Sequence, residues 1–304
     1  MGMIGRDNKR MRYDALVAAR KACHACSGLT NPSVCEGGVF DCDEIGAWSR
    51  WQGNCDAKLM VVGQDWGDVA WFVREKGRDT SASTTNRTLV ELLGSVGLKI
   101  KLPGESSGDG MVFFTNAVLC LKDGGAQARV SDEWFRNCGA RFLRPLIDLV
   151  QPKVVVCLGE RAYRAVLTAY EIRPCKFRHA VESELPVPLP SGVLAFAVYH
   201  CGARILNTHR KLAAQREDWK RIGRFLSRNT EKHDPVENTA AYKAIKRKVE
   251  LRVRKAMVKD GFSRSSFGLG WCHIYWSYKK RLLKEEFHID WKCPSEINPH
   301  IRYD

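Results

Sequence analysis

The chain has 304 residues, of which 44% are hydrophobic, so it can bury the core of one large domain with an appendage or of two domains. It carries 49 Lys and Arg against 34 Asp and Glu, a formal charge of +15, which favours a polyanionic partner, nucleic acid ahead of an anionic membrane. No apolar run reaches the roughly 18 residues that span a bilayer, and the charged start is unlike a signal peptide. We therefore expect a cytoplasmic, monomeric protein that stays out of the membrane.

Twelve cysteines are unusual for such a protein, and in the cytoplasm they are expected to be free thiols or metal ligands rather than disulfides. Cys23 and Cys26 form a C-x2-C pair near the start of the chain, and Cys120 and Cys138 follow about a hundred residues later. If these two pairs converge in the fold, their four thiolates can hold an iron–sulfur cluster.

A second metal site is compatible with the same spacing. Cys23 and Cys26 continue into Cys35 and Cys42 with the pattern C-x2-C-x8-C-x6-C. Four thiolates at such spacings can bind a structural zinc ion. The residues alone leave the iron–sulfur cluster and the zinc ion as alternatives.

Short apolar runs alternate with helical stretches along the first two thirds of the chain. The predicted strands are 59–63, 112–115, 154–158 and 193–199. The predicted helices between them are 86–96, 131–150 and 160–170. This alternation predicts an α/β fold, a three-layer α/β/α arrangement with a mostly parallel central sheet.

Polar residues follow the apolar runs directly. Gln64 and Asp65 follow the first run, Asn116 the second and His200 the last. Because ligands of open α/β sheets bind at the carboxyl ends of the strands, we expect these side chains to share one site.

Residues 23 to about 225 resemble the uracil-DNA glycosylase superfamily, and most closely its iron–sulfur branch, family four. The resemblance rests on GNCDAKLMVVGQDWG (53–67), TNAVLC (115–120), PKVVVCLG (152–159) and YHCGARILNTHR (199–210). It implies a monofunctional DNA glycosylase that flips out a pyrimidine, hydrolyses its N-glycosidic bond and leaves an abasic site. It also implies that Cys23, Cys26, Cys120 and Cys138 hold a [4Fe–4S] cluster, which is favoured over zinc.

The resemblance assigns roles that the chemistry supports. Asp65 would offset the positive charge of an oxocarbenium-like state and orient water, with Asp68 as the alternative carboxylate. Asn116 would read the base edge through its amide, which both donates and accepts. His200 would donate to the base O2 as the base leaves as an anion.

The neighbouring residues combine features of different branches. The motif Gly-Gln-Asp is that of the viral and bacterial branch, whereas the iron–sulfur branch usually has Gly-Glu-Ala, and we assign Gln64 and Gly67 to base recognition. Gly67 stands where the viral and bacterial branch has a tyrosine that blocks 5-methyl groups. Arg204 falls at the position of the residue wedged into the gap left by the flipped base, with phosphate contact as the alternative, and Arg210 is a further candidate for DNA binding.

One expected wall of the base pocket is missing. The iron–sulfur branch stacks an aromatic ring of a Gly-Arg-Pro-Phe segment on the base, but the matching stretch here, 77–83, reads GRDTSAS. Trp66, Trp71 or Phe72 are the candidates to replace that ring. Uracil is the first expected substrate, and the alternative is a bulky 5-substituted pyrimidine, such as glucosylated hydroxymethylcytosine of phage DNA, in antiphage defence. A further alternative is a DNA-binding module without catalysis.

The resemblance ends near residue 228, so we divide the chain into a glycosylase-like domain, 1–228, and a basic, aromatic-rich extension, 229–304. The extension begins with a predicted linker, 229–239, followed by a basic amphipathic helix, 241–259. On that helix Lys246 and Arg247 are expected to contact DNA phosphates. The aromatic residues of 271–291 are expected to form the core of a small domain, with base stacking as the alternative.

Overall fold

The computed structural model describes residues 4–105, 110–125, 128, 130–228, 233–262 and 271–298. The chain divides into two compact units, Met1–Leu226 and Ser227–Asp304. No helix in these described ranges is long and apolar enough to cross a membrane.

The first unit is built around a five-stranded sheet with the order β3-β2-β5-β7-β6. Its strands, with those of a separate two-stranded ribbon, are β1 (Leu29–Thr30), β2 (Leu59–Asp65), β3 (Val112–Val118), β4 (Leu121–Lys122), β5 (Val154–Leu158), β6 (Val187–Pro188) and β7 (Leu194–Val198). Strands β3, β2, β5 and β7 are parallel, and the edge strand β6 is antiparallel to β7. Strand β1 pairs with β4 in the ribbon. The predicted α/β fold with a mostly parallel sheet is confirmed.

Helices cover both faces of this sheet. They are α1 (Ile4–Lys21), α2 (Ala47–Trp51), α3 (Val69–Arg74), α4 (Thr84–Ser95), α5 (Asp132–Cys138), α6 (Arg144–Val150), α7 (Glu160–Ala169), α8 (Phe177–Glu182), α9 (Ala203–Thr208) and α10 (Leu212–Arg228). Along β2, Met60 and Val62 pack into a core with α1, α5, α6 and α7, whereas Leu59 and Val61 pack against α4 and α10. Successive side chains of a strand point to opposite faces, so the continuous apolar runs reflect burial of the sheet on both sides.

The strands that carry the expected site are longer than the sequence predicts. Strand β2 continues to Asp65 and β3 to Val118, because the parallel ladder pairs Gly63 with Asn116 and Asp65 with Val118. Asp65 and Asn116 therefore lie within strands instead of on the loops after them. Backbone pairing on a sheet restricts both residues more than a loop would.

The predicted helix 131–150 is also interrupted. A π-helical turn, Gly139–Leu143, separates α5 from α6. Pro145, the second residue of α6, has no backbone N–H to donate to the preceding turn, which is the kind of position where helical hydrogen bonding changes register.

The second unit is helical. It contains a short 3₁₀ turn (Pro235–Asn238), α11 (Ala240–Lys259), α12 (Trp271–Phe287) and α13 (Pro294–Ile297). Residues 229–232 of the predicted linker lie outside the described residues. The buried core of the second unit consists of Tyr242, Val249, Val253, Met257, Leu283 and Trp291, with further aromatic side chains of α12 packed around it.

A partly buried acid, Glu237, organises this small core. Glu237 accepts hydrogen bonds from Trp291 Nε1 at 2.6 Å and from Lys279 Nζ at 3.1 Å, and the Lys279 ammonium lies 4.0 Å from the centre of the Trp291 ring. The aromatic residues of the extension thus pack as a core, as the sequence favours, while Lys246 and Arg247 are exposed on α11.

Candidate active site

A cavity of about 660 Å³ opens at the carboxyl ends of the parallel strands. Five of the residues that the sequence assigns to the site lie together in its wall: Gln64, Asp65, Asn116, His200 and Arg204. The other two such residues of the first unit, Gly67 and Arg210, are not among its lining residues. Parallel strands end at the same edge of a sheet, which explains why side chains so distant in sequence share one cavity.

Asp65, the last residue of β2, forms a buried ion pair. Lys122 Nζ donates to its Oδ1 at 3.0 Å and to its Oδ2 at 3.1 Å, and Gln64 Nε2 donates to Oδ2 at 2.6 Å. The two charged side chains are only 8% and 4% exposed. Three donor contacts hold the carboxylate at one place and supply an opposite charge beside it.

Lys122 is a site residue that the sequence analysis missed. It ends the two-residue strand β4, and its backbone N–H contacts the Gly67 oxygen at 3.5 Å, so the loop after β2 is joined to the strand that carries the lysine. The sequence feature that could have identified Lys122 was its position directly after the apolar stretch that ends in Cys120 and Leu121. A lysine at that place is expected to be buried only if an acid lies opposite it, and the acid, Asp65, is distant in sequence.

Asn116 is positioned by the absence of a side chain on the neighbouring strand. A Cβ atom at Gly63 would overlap the Asn116 amide oxygen and would lie 2.8 Å from the Trp48 ring. Trp48 also lines the cavity, and it packs on Phe114 with 5.1 Å between ring centres. Gly63 therefore permits the close approach of the amide and of an indole that the sequence analysis did not identify.

His200 is held in one tautomer. The backbone N–H of Gly202 donates to its Nδ1 at 3.0 Å, so the neutral ring carries its proton on Nε2. Burial lowers the pKa of His200 from its usual value of 6.5, an effect that the Asp65 charge partly opposes. At neutral pH the ring is therefore an uncharged hydrogen-bond donor on the cavity wall.

Arg210 and Asp68 have structural partners. Arg210 donates to both oxygens of Asp218, from Nε at 3.0 Å and from Nη2 at 2.7 Å, and that carboxylate is buried. Asp68 caps α3 by accepting from the backbone N–H of Trp71 at 2.8 Å and is itself buried. Asp68 therefore acts as a helix cap rather than as a solvated loop acid.

Two of the three candidate aromatic residues reach the cavity. Trp66 and Trp71 line it, whereas Phe72 is buried behind Trp66, with their rings edge to face at 5.4 Å. A Cβ at Gly67 would lie 3.5 Å from the Trp71 ring, and the φ of +146° at Gly67 disfavours any side chain there. Trp71 therefore lies beside the space that a side chain at Gly67 would enter.

The segment without the expected aromatic ring supplies an acid instead. Asp79 lines the same cavity, where Asn86 Nδ2 donates to its Oδ1 at 3.0 Å and Trp66 Nε1 donates to its Oδ2 at 3.4 Å. Burial raises the pKa of Asp79 from 3.8 to about 6, against the opposing effect of these two hydrogen bonds.

Four of the cysteines surround a second cavity, of about 210 Å³. Cys23, Cys26, Cys120 and Cys138 all line it, and Asn137 Nδ2 contacts the Cys26 sulfur at 3.4 Å. The two distant pairs therefore converge, as the sequence predicts. Cys35 packs with Phe72 and Leu121 instead, and Cys42 lines a separate small cavity, so the alternative zinc set is not assembled around this one.

Zinc and a cubane place different demands on four thiolates. No group of three or more His, Cys, Asp or Glu side chains in the described part of the chain is arranged to hold one metal ion. A zinc ion draws four sulfurs to about 2.3 Å from one point, whereas each thiolate of a cubane binds a different iron and the sulfurs stay farther apart.

Comparisons with known proteins agree with this geometry. A model of the uracil DNA glycosylase superfamily matches residues 51–222, a range that includes Asp65, Asn116 and His200. A type-5 uracil-DNA glycosylase of Pyrobaculum aerophilum is 31% identical over 174 residues, which cover 54% of this chain and 72% of that protein. The fold, the site and these matches define a DNA glycosylase, a hydrolase of N-glycosyl bonds whose substrate is DNA. The chain belongs to the uracil-DNA glycosylase superfamily; its placement on the iron–sulfur branch stays a prediction.

Proposed function

We propose that the protein removes a pyrimidine, uracil first, from DNA by monofunctional hydrolysis and leaves an abasic site. The observation that carries this proposal is the convergence of Asp65, Asn116 and His200 on one cavity. Each of the three side chains has a chemistry that base excision requires, and the name of the P. aerophilum relative supports uracil as the base. A role in DNA repair follows from that substrate.

Asp65 supplies negative charge where the sugar becomes cationic. As the glycosidic bond breaks, positive charge develops at C1′, and a fixed carboxylate beside it stabilises the transition state and orients a water molecule. Lys122 and Gln64 hold this carboxylate through three hydrogen bonds, so little reorganisation is needed as the charge develops.

His200 acts at the other end of the breaking bond. Because Nδ1 is occupied by the Gly202 N–H, Nε2 presents a proton to the base O2 as the base leaves as an anion. A neutral donor can still serve this step, because a hydrogen bond from Nε2 to O2 strengthens as negative charge develops on the base. Gln215 supports the loop by donating to the backbone oxygens of His200 and Arg210, each at 3.2 Å.

Asn116 reads the base, and an indole stacks on it. The amide presents both a donor and an acceptor and can pair with the 3- and 4-position edge of a pyrimidine. We assign stacking to Trp66 or Trp71, which line the cavity in place of the missing phenylalanine. Gln64, through its bond to Asp65, and Gly67, beside Trp71, shape the pocket around the base.

We further propose that Cys23, Cys26, Cys120 and Cys138 bind a [4Fe–4S] cluster. The convergence of the four thiols around one cavity supports a four-thiolate site, and the resemblance to the iron–sulfur branch favours a cubane over zinc there. When bound, the cluster would tie the segment around Cys26 to that around Cys120, with the Asn137 amide donating to the Cys26 sulfur.

Contacts with the DNA backbone are assigned to basic side chains. Arg204 lies in the cavity wall, where it can fill the gap left by the flipped base or contact a phosphate. Lys246 and Arg247 are exposed on α11 and would contact DNA phosphates. Arg210, with two of its donors bound to Asp218, would contribute through its remaining N–H groups.

A second substrate class, a bulky 5-substituted pyrimidine of phage DNA, is supported by one specific observation. The cavity of about 660 Å³ is in the size range that accommodates ligands much larger than one pyrimidine ring. Such an activity would place the protein in antiphage defence.

The test is incubation with end-labelled oligonucleotides that contain uracil or a 5-substituted pyrimidine, in single strands and in duplexes, followed by alkali. We expect alkali-labile sites from the wild type and a strongly reduced rate from Asp65→Asn, which keeps shape but loses charge, with DNA affinity retained. Absence of any excised base with folded, DNA-binding wild-type protein would show instead a binding module that has lost catalysis.

A further inference from the structure

Asp79 is a carboxylate in the substrate cavity that the proposed mechanism does not use. Its two oxygens accept only from neutral donors, Asn86 Nδ2 and Trp66 Nε1. Asp65, which lines the same cavity, instead has the Lys122 ammonium 3.0 and 3.1 Å from its two oxygens. Among the described residues, no lysine, arginine or histidine forms an ion pair with Asp79.

This environment is unfavourable for a charged group. A partly buried carboxylate without a cationic partner carries an uncompensated desolvation penalty, which raises the pKa of Asp79 to about 6. Perturbed acids of this kind concentrate at functional sites, where a bound ligand can supply the missing partner. At neutral pH Asp79 is therefore an ionised acceptor that faces the substrate cavity.

The chemistry of Asp79 defines the ligand group that it can bind. An ionised carboxylate accepts about four hydrogen bonds and donates none, and two of these positions are taken by Asn86 and Trp66. The free positions require a donor, either a hydroxyl or an amino group. The ring carbonyls of uracil are acceptors and cannot serve, and its N3–H donor belongs to the edge that we assign to Asn116.

The place of Asp79 indicates which part of the nucleotide carries that donor. Trp66, which bonds to Asp79, directly precedes Gly67, the position where a tyrosine would close the space for a 5-substituent. Asn116, assigned to the 3- and 4-position edge, lines the same cavity. The 5-position is adjacent to that edge.

We propose that Asp79 is a specificity-determining residue that accepts a hydrogen bond from a hydroxyl or amino group on a 5-substituent of the flipped pyrimidine. This inference rests on the proposed function and narrows its substrate class. It predicts discrimination between a 5-hydroxymethyl and a 5-methyl group, which are similar in size but differ in the donor.

The experiment compares single-turnover excision of 5-hydroxymethyluracil and thymine placed in the same oligonucleotide, with uracil as reference. One hydrogen bond to a charged group should give the wild type a ratio of hydroxymethyl to methyl rates of roughly ten to a hundred. The ratio should fall to about one in Asp79→Leu and to an intermediate value in Asp79→Asn, whose amide oxygen still accepts. Taking the ratio within each protein removes differences in folded fraction. A 5-aminomethyl substrate then separates amino from hydroxyl donors.

The matched control is Glu160→Gln, because Glu160 also lines the cavity but is exposed and bonded to Arg164 at 3.2 Å. Its ratio should equal that of the wild type. A wild-type ratio near one, removal of uracil without either substituted base, or an unchanged ratio in Asp79→Leu would each overturn the inference. Failure to remove uracil and both substituted bases would instead reject the proposed function.

Discussion

Replacement of Lys122 by methionine tests the buried ion pair on which the proposed site depends. Methionine has similar length but no charge, so Asp65 loses both contacts, at 3.0 and 3.1 Å, while remaining buried. Removing one partner of a buried pair destabilises a protein by about 3–5 kcal/mol, since the other charge is left uncompensated. We expect a loss of that size in urea unfolding at neutral pH, because both side chains are less than a tenth exposed.

The same substitution should slow chemistry more than DNA binding. A carboxylate released from its partner moves away from C1′, and misplacement by about 1 Å lowers rates roughly 10²-fold. The assay is single-turnover excision of uracil with binding measured separately by fluorescence anisotropy. The control is the double variant Lys122→Met with Asp65→Asn, which removes the orphaned charge and should recover much of the stability. Full stability and full rate in Lys122→Met would refute the view that this pair organises the site.

Four other substitutions test separate parts of the site. Gly63→Ala should lower the excision rate sharply, because its Cβ would displace the Asn116 amide, and uracil kinetics would show it. For His200, whose pKa burial lowers below 6.5, any acidic limb in the pH–rate profile should lie below pH 6.5 and be absent from His200→Ala. For Asp79, with its pKa raised from 3.8 to about 6, the native state binds the proton more tightly, so stability should fall as pH rises between those values. Asp79→Asn should therefore be more stable than the wild type at pH 8, by on the order of 3 kcal/mol, and nearly equal below pH 4 in thermal unfolding. Cys120→Ala should lose the brown colour and most of the roughly four irons per chain expected of a cubane, measured by absorbance and iron analysis. Retention of all iron would remove Cys120 from the ligand set.

The sequence predicts the residues that follow apolar runs, and it does so for a physical reason. Asp65, Asn116 and His200 lie at or near the carboxyl ends of strands that are buried on both faces, and parallel strands bring such ends to one edge. Their order in the chain and the chemistry of their side chains were sufficient to place them in one cavity. The length of the strands was not predictable, because pairing of Asp65 with Val118 depends on the neighbouring strand.

The residues that escaped prediction act through contacts distant in sequence. Lys122 contributes to the site only because it pairs with Asp65. Trp48 contributes only because Gly63 has no side chain to exclude the Trp48 ring. Asp79 lies in a segment that differs from the expected motif, so comparison with the family drew attention to the absent aromatic ring rather than to the acid. Burial of a charge or of an indole is decided by packing, which local patterns do not encode.

The position of Lys122 also suggests why two pairs of cysteines so far apart in sequence would matter to an active site. The ribbon that carries the lysine has two residues in each strand, with Leu29 opposite Lys122 and Thr30 opposite Leu121. A ribbon of that length is not stable by itself. Cys26 precedes one strand and Cys120 directly precedes the other, and both line the cavity of the four thiols. If Cys26 and Cys120 bound one cluster, the two strands of the ribbon would be held together. The ribbon would in turn hold Lys122 in place, and Lys122 holds the Asp65 carboxylate through two hydrogen bonds. Loss of the proposed cluster should therefore lower the excision rate, measured in single turnover, even though the thiols and the carboxylate line different cavities.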